Sequence, residues 1–356
     1  MADNGNIKFL KKDDLTKWLG GINDRTIVAP TMENGMVIYR PVIKLDSLDL
    51  ELPRPKRAPK DFFFKETEKI FDFKDESTKS GSGAKYTQPP KPPEILILGV
   101  RPCDGRALAF QDRIFLEKNH GFVDPMYKQR REAAIVVAQA CDRPERNCFC
   151  TSVGGDPSSP EGSDVLMTPT SDGYILEGTS DRGEKFLNGP DTSDLMTDAT
   201  GDRLKERDRI HESNRQRVPR KVETGNIKEK LEGNFDNPYW MELGRQCLGC
   251  GICTFLCPSC HCFDIQDERT AEGGRRFRVW DTCQFLEYTQ HAGGHNPRPE
   301  KGHRIRNRVY DKFKYTVDAF GMVSCVGCGR CSSLCPEAID MVEILQNVGK
   351  MEEGSQ

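Results

Sequence analysis

The sequence predicts an α+β protein, with an N-terminal α/β domain followed by a mainly helical, cysteine-rich domain. Three observations predict it. Two fully apolar stretches of strand length, Ile95 to Val100 and Ala134 to Ala138, flank a segment with helical spacing of its apolar residues, the order of an α/β unit. An almost wholly charged and polar stretch follows from Asp202 to about Glu232. Beyond it, eight of the chain's 15 cysteines fall in two runs of one spacing. On this reading residues 1–200 form the α/β domain, 201–237 a charged helical linker, 238–348 the cysteine-rich domain and 349–356 a polar tail.

Taken in order, residues 1–53 alternate short apolar stretches (Arg25 to Ala29, Met36 to Tyr39) with turn residues, as small strands do. Residues 74–93 are polar and rich in glycine and proline, the composition of a loop. Ile95 to Val100 has no polar face, so it reads as a strand covered on both sides. A helix is expected from Gly105 to Lys118, with Ala107, Phe110, Ile114 and Phe115 near helical spacing. Ala134 to Ala138 is the second buried strand. Strands at Val165 to Thr168 and Tyr174 to Gly178 are joined by a tight turn at Ser171 to Gly173. The charged stretch reads as solvated helix broken at Pro219 and Gly225. The last domain starts near Pro238 to Trp240, and its two cysteine runs begin 78 positions apart, at Cys247 and Cys325. That insert is expected to be helical.

The runs are Cys247-x2-Cys250-x2-Cys253-x3-Cys257-Pro258 and Cys325-x2-Cys328-x2-Cys331-x3-Cys335-Pro336. This is the bacterial ferredoxin spacing for [4Fe–4S] clusters, including the proline after the fourth thiolate. Three cysteines two residues apart can wrap one cubane, each thiolate reaching a different iron. The fourth falls beyond reach of that cube and, in two-cluster ferredoxins, serves the neighbouring one. Crossed ligation is therefore expected: Cys247, Cys250 and Cys253 with Cys335, and Cys325, Cys328 and Cys331 with Cys257. Zinc sites pair two Cys-x2-4-Cys hooks and have no use for the third in-phase thiol.

A further set of thiols lies in the first domain. Cys103 follows the first buried strand and Cys141 the second. If the strands are parallel neighbours, both thiols emerge at the carboxyl edge of the sheet, where open α/β sheets place their ligand sites. Cys148 and Cys150 follow a short loop that can fold back over that edge, so these four are expected to hold a third [4Fe–4S] cluster, with zinc or unligated thiols as the alternatives. Cys260, Cys262 and Cys283 lie between the two runs. They read as packing around the first cluster or substituting in its ligation; a further cluster, completed by His261, His291, His295 or His303, is the minor reading.

The formal net charge is −3, so no global basic field recruits nucleic acid. The basic stretch Arg54 to Lys60 reads as a solvated linker. The longest apolar runs fall far short of the ~18 residues of a membrane span. The start has no apolar secretory core, and so many cysteines without an export signal read as metal ligands rather than disulfides. A reducing, anaerobic cytoplasm is the expected setting. No Gly-x-Gly-x-x-Gly follows a strand and no Gly-x4-Gly-Lys-Ser/Thr occurs, so no flavin or nucleotide of its own is expected. Cys-Cys-Gly is absent as well.

Taken together, several stretches resemble a 4Fe–4S dicluster family: the iron–sulfur beta subunit of soluble sulfhydrogenases and the corresponding iron–sulfur subunit of anaerobic sulfite reductases. They are Lys60 to Lys65, Cys103-Asp104 with Asp112, Arg130-Arg131, Cys148 to Cys150, Cys257 to Cys262, Trp280 to Gln284, Ala292 to Asn296 and Cys325 to Cys331. The resemblance spans most of the chain. It implies a non-catalytic subunit relaying electrons between a flavin subunit that handles NAD(P) and a catalytic subunit. That partner would be a hydrogenase, a sulfite reductase or a heterodisulfide-reductase-like subunit. Two other readings stand beside it: a self-contained iron–sulfur reductase acting on a small substrate at a cluster, and a structural or sensory iron–sulfur protein.

Overall fold

A computed structural model describes residues 7–75, 84–117, 121–189, 193–271 and 273–352. The described strands, in chain order, are β1 (Ile7–Lys11), β2 (Thr26–Glu33), β3 (Met36–Pro41), β4 (Thr67–Asp75), β5 (Ala84–Thr87) and β6 (Ile95–Val100). They continue with β7 (Ala134–Gln139), β8 (Val165–Pro169), β9 (Gly173–Gly178), β10 (Met196–Asp198), β11 (Phe263–Thr270) and β12 (Gly273–Trp280). Eight of them form one sheet in the order β10-β1-β9-β8-β7-β6-β2-β3. Its centre, β2-β6-β7-β8, is parallel, and antiparallel strands finish both sides.

The two all-apolar stretches are the adjacent central strands β6 and β7, buried along their whole length. Helices and loops cover both faces. Trp18, Leu19 and Leu187 pack on one side, and Phe63, Phe64, Phe115 and Tyr127 on the other. The helix after β6 begins at Pro102, three residues earlier than its apolar spacing suggests, and runs to Leu116. Proline suits that first position, because its fixed φ is helical and its missing N–H would have had no partner. Consequently Cys103 lies inside the first helical turn. Between β4 and β5, residues 76–83 of the expected loop lie outside the described residues, as do residues 353–356 of the expected tail.

The charged stretch carries helices Gly201–Gln216 and Ile227–Gly233. The first returns to the large sheet, with Arg203 pairing with Asp172, Arg207 with Glu177, and His211 hydrogen-bonded to Thr168. Ile227 and Leu231 of the second are buried with Trp240, Val309, Phe313 and Leu345 in the core of the cysteine-rich part.

The insert between the cysteine runs is mixed rather than wholly helical: a hairpin precedes the helix Lys301–Tyr310. Phe263–Thr270 and Gly273–Trp280 form the β11–β12 hairpin, which continues through β12 into β4 and β5 of the N-terminal part as a four-stranded sheet. Period-two alternation there is short, and opposed Glu268–Arg275 and Asp267–Arg276 pairs hold the register. Where this sheet meets the helix Pro125–Ala133, buried Glu68 of β4 is flanked by Arg278 of β12 and Arg130 of the helix.

The two parts are joined most tightly at Arg330, which donates to Asp104 at 2.5 and 2.8 Å and to the Pro55 carbonyl at 3.0 Å. Both ionic side chains are fully buried, at 1% and 0% exposure. Removing one partner of such a pair strands the other charge away from water, at about 3–5 kcal/mol. Asp104→Ala is therefore expected to lower unfolding stability by that amount in denaturant titrations, whereas a loss under about 1 kcal/mol, the worth of a surface pair, would contradict the buried lock.

Candidate iron–sulfur centres

Both cysteine runs fold alike because both read Cys-x-Gly-Cys-Gly-x-Cys. Gly249, Gly251, Gly327 and Gly329 all have φ between 63° and 75°, a left-handed conformation open to glycine at no steric cost. Each pair curls its run so that the thiols turn inward, and a short helix follows, Ile252–Phe255 or Arg330–Leu334. These two helices pack on each other.

The thiols then group into separate cavities. Cys247, Cys250, Cys253 and Cys335 line one, together with Ile305, Ile344 and Arg308. Cys325, Cys328, Cys331 and Cys257 line a second. Each cavity thus takes its fourth thiol from the opposite run, although Cys331 reaches the wall of the first as well. The four N-terminal thiols, Cys103, Cys141, Cys148 and Cys150, line a third at the carboxyl edge of β6 and β7. A register shift at Gly99, where φ is 74°, ends β6 just before Cys103.

All 15 cysteines are free thiols. Among the described residues, no three cysteine, histidine or carboxylate side chains close on one point as a single metal ion requires. A tetrathiolate zinc would hold every sulfur about 2.3 Å from the ion. Thiols spread around a cavity wall suit a polynuclear cluster instead. Burial raises the Cys148 and Cys253 thiols to about 11 and the Cys150 and Cys325 thiols to about 12. Thiolate is therefore unfavourable at these four positions until a metal replaces the proton. The donor set fits [4Fe–4S] clusters at all three places.

The N-terminal and second cavities touch through backbone. Phe149 N–H donates to Gly327 O at 2.8 Å, and the Cys148 thiol lies 3.6 Å from the Cys328 carbonyl. A Cβ on Gly327 would stand 2.5 Å from Cys150 Cα, and one on Gly329 2.3 Å from Asn147 O. Only glycine permits this approach.

Cys260, Cys262 and Cys283 do not join the first cavity. They line a fourth of their own, with His261, Tyr288 and Asp311. His291, His295 and His303 are not part of its wall; His291 and His295 face each other in a turn.

The helix Lys301–Tyr310 and the turn after it carry no motif, yet they supply residues to several of these cavities. Arg304, Arg308 and Lys312 repeat every four residues beside buried Ile305 and Val309, and all three are buried too. Arg308 lines the first, second and fourth cavities. Burial pulls its pKa down, but the Cys253, Cys260 and Cys257 thiols outweigh this and hold it well above the ordinary value. The signal in the sequence was cationic residues on the apolar face of a helix, where a solvated charge has no place.

Gly327→Ala places a methyl group inside the Cys150 backbone and adds left-handed strain of about 1–3 kcal/mol. The loop Asn147 to Cys150 should lift off the second run, and Cys148 and Cys150 in the metal-free chain should then alkylate faster than in wild type. Unchanged alkylation of both thiols, read by peptide mass spectrometry, would show that the contact does not hold the loop.

Comparison with known proteins bears on the cysteine-rich part and on the chain as a whole. Residues 246–339 match a family described as 4Fe-4S dicluster domain. Over 324 residues the chain is 29% identical to sulfhydrogenase 2 subunit beta of Pyrococcus furiosus, covering 90% of this chain and 92% of the relative. With two ferredoxin-type cysteine runs facing each other across paired cavities and an alignment spanning both parts of the fold, the chain is a homologue of a sulfhydrogenase beta subunit and carries a 4Fe–4S dicluster domain.

Proposed function

We propose that this chain is the electron-transfer subunit of a cytoplasmic, multi-subunit oxidoreductase that works in anaerobic cells. It relays electrons between a flavin subunit that handles NAD(P) and a catalytic subunit of hydrogenase, sulfite reductase or heterodisulfide-reductase type. One observation carries the reading: the thiol-lined cavities form a row with shared walls. Gly327 and Cys328 belong to both the N-terminal and the second cavity, and Cys331, Met341 and Arg308 to both the second and the first. Cavities in a row make a conduit, which neither a lone structural site nor a single labile sensor needs. The relative's name, a subunit of a sulfhydrogenase, supports a multi-subunit setting. Among the described residues, no helix is long and apolar enough to cross a membrane.

In this reading Cys247, Cys250, Cys253 and Cys335 hold one [4Fe–4S] cluster, Cys325, Cys328, Cys331 and Cys257 the second, and Cys103, Cys141, Cys148 and Cys150 a third. A bound cluster supplies one-electron redox chemistry. The chain's own residues do the rest. Arg54, 5% exposed, faces the N-terminal cavity, and Arg308 faces the dicluster cavities, so that buried cations offset thiolate charge. The Gly249 N–H donates to the Cys247 sulfur at 3.3 Å, the kind of bond that tunes cluster potential.

Crossed ligation makes Cys335→Ser a test of position: the variant should alter the electron paramagnetic resonance signal of the cluster held by Cys247, Cys250 and Cys253. Cys150→Ser should instead remove the third cluster, about four irons per chain. Changes confined to the cluster of the second run in Cys335→Ser, or an unchanged iron count in Cys150→Ser, would overturn those ligand sets.

Nicotinamides deliver hydride, two electrons at once, and a flavin is the usual device for splitting the pair. The purified chain should therefore stay oxidised with NADH or NADPH and be reduced by dithionite, and a flavin-bearing partner should restore reduction by nicotinamide. Bleaching of the ~400 nm cluster band by NADH in a flavin-free preparation would favour the self-contained reductase.

A further inference from the structure

The cavity lined by Cys260, Cys262 and Cys283 is wider than a packing defect, at about 250 Å³, roughly eight times the ~30 Å³ share of one water. Three thiols reach it from two separate segments. Cys262 ends the stretch after the first run, and Cys283 follows β12, which brings it back through Asp281 N–H donating to Cys262 O at 3.0 Å. Cys260 receives a hydrogen bond from Arg308 at 3.5 Å.

Its surroundings are cationic. Lys60, Arg308 and Lys312 are buried at 4%, 6% and 2% exposure around the Cys257 to Cys262 segment. Lys60 donates to the Cys260 carbonyl and Lys312 to the Ser259 hydroxyl, both at 3.1 Å. The carboxylate nearest these three, Asp311, stands 3.7 Å from Lys312 and is about one-third exposed. Among the described residues Arg308 has no carboxylate partner. Buried cations need a counter-charge, and Arg308 and Lys312, which also face the Cys257 cavity, line this one as well.

We propose that Cys260, Cys262 and Cys283 bind a further iron–sulfur cluster, a fourth in this chain, with one iron left without a cysteine ligand. Three thiolates lining one cavity and no fourth cysteine on its wall set that composition. The same wall bears Arg298, Lys312 and Tyr288, which would suit a small anion as the remaining ligand. Because this cavity shares Arg308 and Lys312 with the Cys325 cavity, the centre forms a side branch of the row rather than one of its ends. The inference rests on the reading of the chain as an iron–sulfur protein but not on its partners.

The test is iron and acid-labile sulfide analysis with electron paramagnetic resonance on the anaerobically purified full chain. Wild type should carry about 16 irons, and Cys262→Ala and Cys283→Ala about 12 each, with the signals of the other three clusters retained. Cyanide, as a small anionic probe, should shift the signal lost in Cys283→Ala and leave the rest unmoved. Iron counts equal in wild type and both variants would overturn the proposal, as would stoichiometric zinc at the site or a Cys262–Cys283 disulfide in the intact holoprotein. A wild-type protein with no iron at all would instead sink the electron-transfer reading itself. Should one variant fold poorly, the wild-type count and the cyanide response still decide.

Discussion

The buried Asp104–Arg330 pair is the constraint around which the two parts are arranged. Each partner is the sequence neighbour of a thiol, Cys103 on one side and Cys331 on the other. The pair therefore fixes more than a domain contact: it sets how the N-terminal cavity lies against the second. An ion pair with almost no water around it tolerates little displacement, because each charge lost from its partner faces a heavy desolvation cost. Glycine completes the fit. With Gly327 and Gly329 lacking side chains, the backbone of residues 147–150 lies directly on the second cysteine run, and no solvent layer separates the two thiol sets.

A second theme is the use of buried cations where a soluble fold would ordinarily avoid them. Arg54, Lys60, Arg308, Lys312 and Arg330 are all at most 6% exposed. Apart from Arg330, which has Asp104, Arg54, which reaches Glu145 at 2.6 Å, and Lys312, 3.7 Å from Asp311, their neighbours are largely sulfur, backbone carbonyl and aromatic ring; Lys60, for example, lies 4.1 Å from the Trp280 ring centre. Such an interior is costly for an empty protein and sensible for one that holds anionic clusters, so folding and cluster insertion are coupled energetically. Beside a bound cluster, the same positive charge would favour the reduced over the oxidised state.

The β11–β12 hairpin shows what a ferredoxin-like module gains from its long insert. By pairing β12 with β4, the insert is stitched into the N-terminal part through backbone hydrogen bonds, and Trp280 at its end hydrogen-bonds to the Phe64 carbonyl at 3.1 Å. The hairpin then delivers Asp281, Thr282 and Cys283 back to the Cys260 segment. Sheet, hairpin and thiols are one mechanical unit.

Much of this was legible in the chain itself. The ferredoxin spacing, the buried strands at 95–100 and 134–138, the tight turn near Asp172 and the emergence of Cys103 and Cys141 at one sheet edge all follow from local pattern, because period and spacing are properties of contiguous residues. The hairpin's local signal is the alternation in Phe277 to Val279 and at Phe263 and Ile265, too short to be read against the expectation of a helical insert. Other features belong to the tertiary structure alone. That Arg330 meets Asp104, that Arg308 serves three cavities, and that Cys260, Cys262 and Cys283 share a cavity apart from the first run depend on contacts between segments up to 226 residues apart. No local period encodes such contacts; they are decided by which faces remain to be buried once every element is in place.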